Sequence, residues 1–530
     1  MKRILTLMLV SAMIFSLMAG CQSANSVNDS SEEKSTNGSS ESSSSTQDGQ
    51  NIRTDVVIGA SADIVTLDPA KISDTYSGEV AQLIYDKLVT LDENANIIPS
   101  LAESWENTSD TEYIFHLRQG VKFHNGEELK ASDVVFTFNR ARESAQAKAN
   151  FEMVSSVEAV DDYTVKLTTS APFAPMLLKL TQNTAYILSE KAVTEAEADG
   201  GEYGENPVGT GCMTLKEYQP NDHCTLVRFD DYWGGEVKAT SITRRVIPED
   251  SSRTIALENG EVDYINELPA VDIDRLKEDE NIKTVDMVSA SVSFIAFNCQ
   301  KEPFNNVKVR QALHYAVDKQ TIIDVIYEGY GVPCNSVFPT MMPGYDSELN
   351  IYSYDLEKAK QLLTEAGYPD GFDMEILVSN EIRSRICQII QQDYASIGVN
   401  MEISVVEFGT LVEMSTGEDY DAFLLGWSQA VDADNTMVFS FHSDNFGSKG
   451  NRARYSNPEF DEIVMQARVE MDETKRNELY KEAQRIVMED SPWIPIMQAV
   501  NVAGMNKGVE GVVMYEHGAR YYRNMVVVED

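Results

Sequence analysis

Two short stretches of this chain carry the side chains whose types and spacing suit chemistry. Asp432 and Asp434 stand in Val431-Asp432-Ala433-Asp434-Asn435, shortly after Trp427. Read as a DxD pair, they are the kind of carboxylates that hold a divalent metal in a glycosyltransferase; read as turn residues, they cap a helix around Thr436 to Phe441. Arg383 and Arg385, in Asn380-Glu381-Ile382-Arg383-Ser384-Arg385, present planar forks that match a carboxylate. The plain alternative is a solvated arginine beside a local acid. Trp427 can hold an ammonium by cation–π attraction, or simply pack in a core. Nothing supports nucleophilic chemistry. The chain has no GxSxG elbow, no Cys/His pair in sequence context and no phosphate loop, since Gly209-Thr210-Gly211 lacks the following Lys-Ser/Thr. His116, His124, His223, His314, His442 and His517 form no HxxxH or HExxH pair. Of these, His442 follows the aspartates most closely and is the one to watch for a metal chelate or haem. The enzymatic reading, transferase or hydrolase, rests on the Asp-Ala-Asp tripeptide alone.

The elements that must position these residues alternate between strand and helix, which is an α/β pattern. Val56-Val57-Ile58-Gly59-Ala60 reads as a buried strand. Tyr113 to Leu117 alternates and is followed, after Gly120, by a second expected strand, Val121-Lys122-Phe123. Met213 to Tyr218 and His223 to Arg228 flank Pro220-Asn221-Asp222 as a hairpin. Asp355 is the expected N-cap of a helix over Leu356 to Ala366, with Gly367 at its stop and Pro369 beyond. Ile382, Ile386, Ile389, Ile390 and Ile397 keep helical spacing up to Gly398, and Thr474 to Asp490 reads as a charged surface helix. Phe372 to Val378, the isoleucine helix and Met401 to Val406 form a strand–helix–strand unit, and Asp421 to Trp427 adds a further buried strand. Ligands in open α/β sheets sit beyond the carboxyl ends of strands, so Trp427 and Ser428 to Asn435 mark the expected site.

The first fifty residues speak of location. Lys2 and Arg3, then the apolar run Ile4 to Met18, read as a cleaved export signal, since the run is too short to span a bilayer. Leu17-Met18-Ala19-Gly20-Cys21 resembles a bacterial lipobox, which implies cleavage before Cys21 and its lipidation by acyl chains such as palmitate. The plain alternative is an ordinary secretory signal ending near a cysteine. The Ser-rich stretch to Gln50 has no aromatic residue and reads as a flexible tether. The net charge of −42 over 530 residues gives no basic face for nucleic acid or for an anionic membrane. Roughly 480 residues remain after the tether, enough for two or three domains. Cys212, Cys224, Cys299, Cys334 and Cys387 include no CxxC pair and read as scattered core thiols, with one disulfide still open.

Several landmarks then match a known family in order: Thr66-Leu67-Asp68-Pro69-Ala70, Phe115-His116-Leu117-Arg118-Gln119-Gly120-Val121-Lys122-Phe123-His124-Asn125-Gly126, Asn206 to Gly211, Asp231-Tyr232-Trp233-Gly234-Gly235, Asn305 to Asp318 and Glu365-Ala366-Gly367-Tyr368-Pro369. From about Asp55 to Val513 the chain resembles the family 5 solute-binding proteins of peptide and nickel ABC importers. The resemblance implies an α/β, two-lobed periplasmic-binding-protein fold (type II, cluster C) with a small inserted domain and a ligand cleft between the lobes. The implied division is a signal over 1–20, a lipidated cysteine and tether over 21–53, and lobe I from 54–90, 207–295 and 496–530. The inserted domain is 91–206 and lobe II is 296–495. Two connections between the lobes make a hinge.

Function and roles follow from the same resemblance. A lipid-anchored protein at the extracytoplasmic face of the cell membrane, expected to be a monomer without cofactor or resident metal, captures di- or oligopeptides and delivers them to ABC permease subunits. A glutathione-like peptide, a nickel or haem ligand, and a peptide-sensing receptor are the alternatives. In peptide-binding relatives an Asp three residues after the strand-end Trp takes the ligand ammonium. That position is Ala430 here, so Asp432, or else Asp434, is expected to do this work. Arg385 aligns best with the carboxylate-binding position, with Arg383 beside it, and Tyr76 is a weaker candidate at the lobe interface.

Overall fold

In this computed structural model, residues 51–198, 200–428 and 431–529 are described; Cys21 and Ala430 lie outside them. Apolar runs become strands of one large mixed sheet. Its order is Asn400–Val405, Asp373–Val378, Ala422–Ser428, Ile282–Phe297, Trp493–Asn506, Tyr264–Ile265, Asp55–Ala60, Ser241–Val246, His223–Arg228 and Met213–Gln219, with Gly331–Pro333 pairing to the fifth of these. Ile282–Phe297 and Trp493–Asn506 are long, at 16 and 14 residues. At about 3.3 Å per residue they run roughly 50 Å, far enough to serve two halves of the sheet.

The pairing of these two strands is not uniform. Ile282–Val288 faces Val500–Asn506, and Val292–Ala296 faces Trp493–Gln498, with the register broken between Val288 and Val292. An irregularity of this kind bends a strand and weakens the local ladder. On one side, Ile58, Val80, Ile242, Tyr264 and Met505 share an apolar cluster. On the other, Phe294 and Ala296 enter one cluster and Ile295 and Phe297 enter another, as the period-2 alternation of a strand requires. A separate four-stranded sheet, in the order Ala102–Ser109, Glu112–Leu117, Thr164–Thr169 and Val154–Asp161, packs on the helix Ala131–Glu143 through a core that includes Phe115, Phe138 and Leu167.

Local chemistry explains the helix ends. Asp355 accepts the Lys358 amide before the helix Leu356–Glu365, and Gly367 beyond it has a φ of +94°, the left-handed turn that glycine makes without strain. The helix Glu381–Ser396 is capped by Asn380 and buries Ile386, Cys387, Ile390 and Tyr394, while Ile382 stays exposed. Two expectations change. Val121-Lys122-Phe123 forms only a single bridge, Lys122 to Glu128, because the chain reverses at Asn125-Gly126 before a ladder can grow; Val121 and Phe123 are nevertheless buried. The expected helix around Thr436 is present over 433–441, but its centre, Asn435–Phe439, is π-helical. The five cysteines past the tether are free and buried.

Candidate functional site

Asp373–Val378 and Ala422–Ser428 run parallel and neighbour one another, so both end at the same edge of the sheet. Trp427 and Ser428 pair with Val292 and Ser291, beside the break between the two halves. The expected binding segment therefore sits where the sheet is most able to bend. Trp427 is half-buried, stacks on Phe439 with ring centroids 5.4 Å apart, and keeps its indole N–H without a partner among the described residues.

Arg383 follows the strand end and is half-buried. Its guanidinium donates to Ser379 Oγ at 2.6 Å, and burial lowers its pKa, with the Tyr327 phenol opposing. Arg385 is exposed on the same helix. Residues two apart on a helix face away from each other, so the pair does not act on one group together.

Asp432 is already occupied, whereas Asp434 Oδ1 is buried without a hydrogen-bond partner among the described residues. Asp432 is 3 % exposed and accepts Lys179 Nζ at 2.5 Å on one oxygen and the Asn435 amide at 3.0 Å on the other. Asp434 lies 3.4 Å from Arg468 Nε, and burial raises its pKa against the pull of Arg468 and Lys179. Arg468 also bonds Glu152 at 2.9 Å and lies over the Phe173 ring. Lys179, Glu152 and Phe173 come from the region of the four-stranded sheet. Asp432 and Asp434 thus face cations that dock that region, and Asp432 also caps the turn after it. Among the described residues, no group of three or more His, Cys, Asp or Glu side chains could hold a metal ion. His442 uses its Nδ1 to accept the Asp444 amide at 3.2 Å.

Tyr76 stands on the helix Thr75–Ile84. Its hydroxyl pairs with Ser61 Oγ at 2.9 Å, and the Arg244 guanidinium stands 5.3 Å from its ring centre. Arg244 is buried, and none of its guanidinium nitrogens has a hydrogen-bond partner among the described residues. A cavity of about 140 Å³ beside Tyr76 includes Glu79, which Arg520 and Asn266 hold at 3.3 and 2.7 Å.

A larger cavity, of about 910 Å³, adjoins this wall and reaches Ser428. Thr75, Gly78, Glu79 and Gln82 line it as one stripe of their helix, at the spacing that puts side chains on a single face. Lys87 and Trp233 line it beyond the helix, with Tyr515 and Arg523 from the chain's last segment. Asp86 accepts Trp233 Nε1 at 2.8 Å and Thr210 Oγ1 at 2.9 Å, and burial raises its pKa despite those bonds. Lys87 donates to the Thr181 carbonyl at 2.6 Å, lies over the Tyr186 ring, and is pushed down to about 8 by burial. Sequence reasoning missed Glu79, Asp86, Lys87 and Arg523. Only Trp233 gave a signal, as part of a family landmark, because these positions meet through folding and not through spacing.

A family model described as bacterial extracellular solute-binding proteins, family 5 Middle, matches residues 96–448. Heme-binding protein A of Haemophilus influenzae is 34% identical over 469 residues, covering 83% of this chain and 86% of that protein. The dipeptide-binding protein of Escherichia coli is 33% identical over 478 residues, covering 84% and 89%. Among solved structures, the periplasmic binding protein DppA from Helicobacter pylori in complex with the peptide STSA matches with a TM-score of 0.78 at 29% identity, covering 90% of this chain and 99% of that one.

Proposed function

The chain belongs to the bacterial extracellular solute-binding proteins of family 5, and on that premise we propose that it captures a short peptide between its lobes and hands it to the transmembrane subunits of an ABC importer. The observation that carries this reading is the cavity of about 910 Å³ that joins the helix Thr75–Ile84 to Ser428, at the strand end beside the bend. Similarity to a dipeptide-binding protein and to a peptide complex supports the ligand class.

In this proposal the two lobes, 54–90 with 207–295 and 496–530 against 296–495, close about the break between Val288 and Val292. The separate apolar clusters on either side support rigid-body motion, because packed cores shift as units. Trp427 and Arg383 form the lobe II surface that meets the ligand, and Tyr76 belongs to the opposite wall. Asp432 and Asp434 hold the inserted domain, 91–206, against lobe II. Capture occurs without turnover. Cys21, outside the described residues, carries the lipid that keeps the protein at the outer face of the membrane.

Native mass spectrometry on the soluble fragment from Gln50 onward tests the ligand class. The expected result is a bound mass matching short peptides, lost on denaturation. A metal or tetrapyrrole mass in its place refutes peptide capture. X-ray scattering with and without saturating peptide tests closure, and identical profiles refute it.

A further inference from the structure

With Asp432 tied to Lys179, the ends of a peptide need other receptors, and the large cavity supplies a pair. At one end of the helix Thr75–Ile84 stands Asp74, whose Oδ1 caps the helix through the Ser77 amide while Oδ2 is shielded from water and has no partner among the described residues. A buried carboxylate oxygen left unpaired is costly, and an ammonium satisfies it. Asp74 also lines the large cavity. Just past the other end stands Lys87. Its ammonium has three donors, of which the Thr181 carbonyl takes one.

The charges between and around them set a direction. Glu79 and Arg520 cancel in the middle of the stripe. At the Lys87 end, Lys87 and Arg523 face one acid, Asp86, which Trp233 and Thr210 already hold. Arg523 donates to the Gly234 carbonyl, at 3.5 Å. The cavity is therefore negative at the Asp74 end and positive at the Lys87 end. From N-cap to C-cap the helix rises about 16 Å at 1.5 Å per residue. An extended peptide covers that span with about four or five residues at 3.3–3.6 Å each.

Resting on the peptide-capture reading, we infer that Asp74 takes the ligand's ammonium and Lys87 its terminal carboxylate, with the helix between them setting a preference for peptides of four to five residues.

Calorimetric titration of the soluble fragment with unblocked alanine peptides of two to six residues tests this, together with N-acetylated and C-amidated forms of the tightest binder. Asp74→Asn keeps a good N-cap, and Lys87→Met keeps the aliphatic stem on Tyr186, so both variants should fold. Affinity should peak at four or five residues. Each blocking group should weaken wild-type binding about 10- to 100-fold, the range of a charge-assisted hydrogen bond. The acetyl penalty should vanish in Asp74→Asn and the amide penalty in Lys87→Met. If either penalty survives in its matching variant, or if dipeptides bind tightest, the assignment is overturned while peptide capture stands. If no peptide binds, peptide capture falls as well.

Discussion

Replacing Lys179 with Met should be among the more damaging single changes in the protein, and its cost can be worked from the geometry. Lys179 and Asp432 are 2.5 Å apart, with side chains only 6% and 4% exposed. Truncating one member of a buried pair leaves the other charge without water or partner, at a cost of about 3 to 5 kcal/mol. Removing both members together costs far less, because no charge remains to be stranded. Urea unfolding of wild type, Lys179→Met, Asp432→Asn and the double variant forms a complete cycle, read on the first transition because several cores need not melt in one step. The coupling energy should exceed about 2 kcal/mol. Single variants that each cost under about 1 kcal/mol and simply add would refute the buried-pair reasoning.

Three further outcomes follow from other groups. Burial pushes Lys87 down to about 8, below the unfolded value of about 10.4, so the folded protein loses its proton first and gains stability as pH rises through that window. The gain is at most roughly 3 kcal/mol; it should vanish in Lys87→Met, while the similar contribution of Lys319, also pushed to about 8 by burial, remains. A thiol reagent should leave the native soluble fragment almost unlabelled and titrate Cys212, Cys224, Cys299, Cys334 and Cys387 after denaturation; rapid native labelling contradicts their burial. Gly209→Ala should sharply lower the yield of folded protein, because a Cβ there would meet the Ile84 carbonyl oxygen at 2.0 Å; a normal melting curve would refute that packing.

Gly209 also shows why parts of the sequence were legible. It belongs to the Asn206 to Gly211 landmark, and Gly211 would likewise meet the Ile84 backbone, with its Cβ 2.5 Å from the carbonyl carbon. The landmark marks close backbone packing, so it identifies a fold and names no ligand. The capped helix Leu356–Glu365, the hairpin of Met213–Gln219 and His223–Arg228, and the parallel strands Asp373–Val378 and Asn400–Val405 are equally local. Each follows from side-chain periodicity and turn residues within a few positions.

The charged groups were not legible in this way. Asp432 meets a lysine 253 residues earlier in the chain, and no spacing rule reaches across such a gap. The cavity wall draws Asp74 to Lys87, Gln182 to Thr184, Tyr232 to Gly234 and Gly511 to Asn524 into one surface. By itself, the sequence determined the strands, the helix ends, the membership of a solute-binding family and the lack of a recognisable catalytic motif, because backbone preference and apolar periodicity act between near neighbours. Which acids are paired with distant cations inside the protein was decided only by the tertiary structure. Electrostatic partners are chosen by distance in space, and burial then sets the cost of every charge left alone.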